Sequence, residues 1–114
     1  WMLIPADHPC LQGNVIRQIA RRWLLHPEKI VIPAHHGRRG HPTLFPWSIA
    51  SEVFTLSPDQ GLNAIVRARP DRVDEIEVDS PEILVDLDTP EDWQRLQAGW
   101  KCDFRQNPPS SDGV

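Results

Sequence analysis

A chain of 114 residues with 39% apolar and 25% charged side chains has material for one packed core and too much of it for a disordered segment. Its formal net charge of −4 gives no electrostatic reason to expect a nucleic-acid partner, which needs a basic face, and basic residues cluster only locally. No apolar run approaches the roughly 20 residues that span a bilayer, and Cys10 and Cys102 are too few for a disulfide framework, so the expectation is a cytoplasmic domain with no membrane partner.

Met2-Leu3-Ile4-Pro5 reads as a buried strand. Leu11, Val15, Ile16, Ile19, Ala20, Trp23 and Leu24 then fall on one face of a helix, opposite Arg17, Gln18, Arg21 and Arg22, which reads as a solvent face. The helix should stop near His26-Pro27. Ile30-Val31-Ile32 is short and β-branched and predicts a second buried strand, completing a strand-helix-strand unit with a right-handed crossover. Residues 34–42 read as a loop rich in Gly, His and Arg, after which Leu44-Phe45 is apolar and Pro46 opens a short helix through Leu56.

Beyond the turn Ser57-Pro58-Asp59-Gln60-Gly61, the apolar Leu62, Ile65 and Val66 predict another short helix closed by Pro70-Asp71. The alternation from Val73 to Val78 predicts an exposed or edge strand. Ile83-Leu84-Val85 reads as a third buried strand. Thr89-Pro90-Glu91-Asp92 starts a last helix, with a cap, a proline at the first position and an acid at the third, and Trp93, Leu96 and Trp100 lie on its apolar stripe. From Cys102 onward the composition becomes polar and proline-rich, as in a loose tail.

Acids follow two of the predicted strands, and α/β sheets bind ligands at the carboxyl ends of their strands. Asp7 stands beside Pro9 after the first, and Asp86 and Asp88 follow the third. Asp88, directly before the Thr89 cap, is the favoured partner of Asp7, with Asp86 a turn acid and Glu91 and Asp92 charges matched to the helix N-terminus. Magnesium uses one or two carboxylates and keeps its other positions for water and phosphate oxygens. Asp7 and Asp88 as metal ligands and catalytic residues therefore point to Mg2+-dependent phosphoryl or nucleotidyl transfer. Arg38, Arg39, Gly40, His41 and Pro42 make a second constellation, suited to an anionic substrate. Five histidines invite a zinc reading, but His8, Cys10, His35, His36 and His41 lack the usual ligand spacing.

Ile4-Pro5-Ala6-Asp7-His8-Pro9, then Gly37-Arg38-Arg39-Gly40-His41-Pro42-Thr43-Leu44-Phe45, then Asp86-Leu87-Asp88-Thr89-Pro90-Glu91-Asp92 resemble, in that order, the MobA-like nucleotidyltransferases. That family includes the cytidylyl- and guanylyltransferases of the molybdenum cofactor, and the resemblance reaches to about Gln97. It implies a Rossmann-like α/β fold with a mostly parallel sheet flanked by helices. It also implies a magnesium-bound nucleoside triphosphate, CTP or GTP, attacked at its α-phosphate by the phosphate of an acceptor such as molybdopterin, with release of pyrophosphate. Asp7 maps to the metal-binding acid of the family's Asp-x-Pro motif, Gly40-His41-Pro42 to the acceptor side, and Asp88 to a second acid near the metal. His8 stands where many members have glutamine.

The family's glycine-rich signature, a Leu-Ala-Ala-Gly-like turn ending in a lysine, does not occur in the sequence. Residues 1–100 are therefore expected to be the C-terminal part of such a domain, lacking its N-terminal nucleotide-binding strands, with 101–114 a flexible tail. Weak nucleotide binding by the chain alone is expected, as is self-association, or pairing with a missing N-terminal half, through an unpaired sheet edge. The competing reading is a non-catalytic or vestigial half-domain that binds a phosphorylated ligand or a partner protein through Arg38, Arg39 and His41. A metal-dependent phosphohydrolase using Asp7 and Asp88 would lack a recognisable nucleophile.

Overall fold

Residues 30–34 are all buried, as befits a strand covered on both faces, and they organise the residues described by this computed structural model, 1–99. In chain order the elements are β1 (Met2–Leu3), α1 (Gly13–Leu25), β2 (Ile30–His35), β3 (Arg38–Arg39), β4 (Thr43–Leu44), α2 (Ala50–Val53), α3 (Asn63–Ala68), β5 (Val73–Glu77) and α4 (Pro90–Gly99). The central β2 pairs in parallel with β5, from Ile30 opposite Val73 to Ala34 opposite Glu77. On its other edge lie β3 and β4, both antiparallel to it, and β1 is antiparallel to β4.

The architecture is thus a mixed α/β sheet with flanking helices, and the mostly parallel sheet read from the sequence is corrected: one pairing is parallel and three are antiparallel. The cause is a two-residue turn. His36 and Gly37 both adopt positive φ, 50° and 76°, the turn geometry whose twist matches a right-handed hairpin. The chain therefore folds straight back as β3, and the Gly40 amide donates to the Pro33 carbonyl at 2.9 Å before β4 begins. An added Cβ at Gly37 meets nothing within 4 Å, so its requirement is purely conformational. Gly37→Ala is expected to destabilise by about 1 kcal/mol, the left-handed penalty of a side chain, read as a fall of roughly 5 °C in the thermal midpoint.

Two other readings change. Ile83-Leu84-Val85 is not a strand. Residues Pro81–Leu84 form a 3-10 turn in which Ile83 is fully buried, and its carbonyl accepts from the His41 amide at 3.0 Å instead of joining a ladder. Pro81 opens that turn with its fixed φ. Leu44 ends β4, and after Pro46 the expected short helix begins as a 3-10 turn (Trp47–Ile49) and continues into an α2 that stops at Val53, short of Leu56.

Side-chain alternation splits the core into two layers. Val15 and Ile19 of α1 pack with Val31, Leu44, Val78 and Ile83 on one face, and Ile30, Ile32 and Phe45 pack with Ile49, Ile65 and Val66 on the other. Arg22, read as part of a solvent face, reaches across to β5 and grips both Asp74 carboxylate oxygens, at 2.7 and 3.1 Å. The start of α4 carries the expected cap: Thr89 Oγ1 accepts from the Asp92 amide at 3.1 Å, and Asp92 Oδ2 accepts from the Asp88 and Thr89 amides at 3.0 Å. Trp100 and the expected tail, 101–114, lie outside the described residues. No described helix is long and apolar enough to cross a membrane.

Candidate active site

After β1, the His8 amide donates to the Pro5 carbonyl at 3.1 Å and closes a turn that carries Asp7. The Leu87 amide then donates to the Asp7 carbonyl at 2.8 Å. That bond ties the segment around Asp86 and Asp88 to the first turn and joins acids from opposite ends of the chain.

Asp7, His8 and Asp86 each offer a donor atom, and these atoms all lie within 4.8 Å of one another. His8 Nε2 is 3.8 Å from Asp7 Oδ1, with the imidazole 11% exposed and the Asp7 carboxylate 41% exposed. Asp88 stands beside this group. Its carboxyl is held above the usual aspartate range, first by the charge of Asp86, then by desolvation and by the neighbouring Asp7. Like charges crowded in this way favour either a proton or a cation between them.

The structure thus groups Asp7 with two residues read otherwise, His8 and Asp86, while Asp88, the acid favoured in the sequence, stands beside that group and outside it. Their signal was adjacency: His8 shares the Asp7 turn, and Asp86 lies two residues from Asp88. Two ligands facing each other across a magnesium-sized ion are about 4.2 Å apart. Two carboxylates and an imidazole within 4.8 Å therefore need only small adjustments to hold a divalent ion.

His41 of the loop after β3 sits on this cluster. The His41 ring packs edge-on against His8, centroids 4.5 Å apart at 66°, and His41-Pro42 is a cis peptide. Neither His8 Nδ1 nor His41 Nδ1 has a hydrogen-bond partner among the described residues. Burial, and then the neighbouring His8, push the His41 pKa below the ordinary histidine value, outweighing Asp7. The unfolded chain therefore takes up this proton first, near pH 6.5, so the contribution of His41 is fully present above that pH and is lost as pH falls below it. The thermal midpoint is expected to fall between pH 7 and pH 5, and by less in His41→Gln; equal slopes would contradict this.

Arg39, Gly40 and His41 line a cavity of about 280 Å³ floored by Leu3, Ile32 and Phe45, with Asn63 and Arg67 of α3 also in its wall. Arg39 also donates from Nε to Glu75 Oε2 at 2.6 Å. Arg38 is exposed on β3 and Pro42 is buried, and neither lines the cavity. Asn63 and Arg67, one helical turn apart, were not singled out in the sequence. A second cavity, of about 480 Å³, has Asp86, Asp92 and Arg95 among its walls and so opens beside the acids.

The family model of the MobA-like NTP transferase domain matches residues 1–73, more than half of the chain and a span that holds both Asp7 and the Gly40-His41-Pro42 loop. The chain belongs to this family. Among solved structures, this MobA-like chain is similar to Rv0371C of Mycobacterium tuberculosis H37Rv, described as a complex with manganese. The identity is 26% and the TM-score 0.70, over 83% of this chain and 50% of that one. The MobA-like chain thus spans about half the length of that neighbour. Among curated proteins nothing matches at a significant level.

Proposed function

We propose that the chain forms the cation and acceptor side of a nucleotidyltransferase that moves a nucleoside monophosphate from CTP or GTP to a phosphorylated acceptor such as molybdopterin, releasing pyrophosphate. The observation that carries this reading is the meeting of Asp7 with Asp86 and Asp88 against His41 of the acceptor loop, within a MobA-like domain.

In this reading Asp7 and Asp88 are the catalytic carboxylates that hold Mg2+, with Asp86 beside them, and the manganese of the Rv0371C complex supports a divalent ion here. When bound, the cation supplies positive charge to the α-phosphate and the departing pyrophosphate. Arg38, Arg39, Gly40, His41 and Pro42 form the acceptor-binding loop. Arg39 and His41 face the acceptor phosphate, and the apolar floor of the cavity takes the acceptor body. An oxygen of that phosphate forms the new bond to the α-phosphorus as the bond to the β-phosphate oxygen breaks. The acceptor phosphate is already ionised, so the loop has to orient it and not to deprotonate it. The setting is cytoplasmic, and the outer edge of β1 is where self-association would occur.

The test is release of pyrophosphate from CTP or GTP, with Mg2+ and molybdopterin supplied, by this protein and by its Asp7→Ala variant. Acceptor-dependent release that Asp7→Ala abolishes supports the reading, and release retained in the variant removes Asp7 from the mechanism.

A further inference from the structure

We infer that His8 is a nitrogen ligand of the cation site and makes it prefer first-row transition ions to magnesium. The inference rests on the cation reading of Asp7 given above and adds the residue that sets which ion is taken. Three features of His8 carry it. The ring is nearly buried yet belongs to the group of donor atoms within 4.8 Å of one another. Its Nε2 faces Asp7 Oδ1 at 3.8 Å, near enough to share an ion with that carboxylate and too far for a hydrogen bond. Its orientation is set by packing on His41 and by the turn to Pro5, since Nδ1 has no hydrogen-bond partner among the described residues.

A cation at this group meets the Asp7 and Asp86 carboxylates and the His8 imidazole, with the Asp88 carboxyl beside them. Magnesium is hard, prefers oxygen and gives up its water reluctantly, so it gains little from the nitrogen. Transition ions from manganese onward bind imidazole more strongly, and the nitrogen adds to what the carboxylates already supply. His8 therefore discriminates between ions that the carboxylates by themselves would hold more evenly.

The experiment titrates the chain with Mn2+ and with Mg2+ by calorimetry and records pulsed electron paramagnetic resonance of the Mn2+ complex, in the native sequence, in His8→Gln and in Asp7→Ala. The expected result is a preference for Mn2+ on the order of tenfold or more, together with nitrogen-14 modulation from a directly bound imidazole. In His8→Gln the modulation disappears and the preference shrinks through weaker Mn2+ binding, with Mg2+ affinity unchanged. Absence of nitrogen modulation in the native complex, or an unchanged preference in His8→Gln, overturns the role of His8 even if Asp7→Ala loses both ions. Retention of both ions by Asp7→Ala overturns the parent reading of the cation site instead.

Discussion

Asp7→Ala is expected to lower divalent-cation affinity by about a hundredfold or more, the upper end of what disturbing a metal site costs, while leaving the fold intact. Asp86 and Asp88 come from one segment, and Asp7 is the carboxylate that faces them from the β1 turn. Without it the remaining acids lie on one side of the ion and keep their mutual repulsion. The fold should not register the change, because Asp7 holds the site together through its backbone carbonyl, which accepts from Leu87 and survives the substitution. Its side chain lies 3.8 Å from His8 and is 41% exposed. Substitutions at such positions usually change stability by no more than about 0.5 kcal/mol. Calorimetric titration with Mn2+ beside a thermal melt separates the two effects; unchanged affinity would show that the ion binds elsewhere.

Gly40→Ala is expected to produce the largest loss of stability of any single methyl addition in the loop 37–42. A Cβ there would fall on the Ile83 carbonyl, with the Ile83 carbonyl carbon at 2.8 Å and its Cβ at 2.9 Å. None of these atoms can swing away. Ile83 is fully buried, its carbonyl is held by the His41 amide, and its own amide donates to the Ser80 carbonyl. Overpacking against such a neighbour costs about 1–3 kcal/mol, so the thermal midpoint should drop by roughly 10 °C. The loop must lift to relieve the clash, and lifting it moves His41 off His8, so weaker Mn2+ binding should accompany the lower midpoint. A Gly40→Ala variant as stable as the parent would mean that the loop does not rest on the Ile83 backbone.

Asp7 and Asp88 stand out in the sequence because each sits at a recognisable break. Asp7 follows an apolar run beside Pro9, and Asp88 precedes a Thr-Pro cap whose hydrogen bonds are the expected ones. His8 and Asp86 were less legible because their roles depend on where the Leu87-to-Asp7 bond sets one turn against the other, and no local pattern encodes that register. The hairpin reads as loop in the sequence because charged Arg38 and Arg39 hide the His36-Gly37 turn, and a sheet without that hairpin looks more parallel than it is. The sequence shows that Ile83 is buried but not its backbone: three apolar residues satisfy a strand or a 3-10 turn equally, and Pro81 decides for the turn. Asn63 and Arg67 escaped notice because α3, at six residues, is too short for its pattern to reveal which face meets the cavity.

Broadening of amide resonances by substoichiometric Mn2+, in the nitrogen-15-labelled chain, tests the convergence of the two turns most directly. The signals of residues 6–8 and 86–88 should fade together and first, with His41 next, because one ion lies within reach of all of them. Loss confined to either turn alone, or beginning instead at the acidic strand around Asp74 and Glu75, would contradict a cation held between Asp7 and the acids near the start of α4.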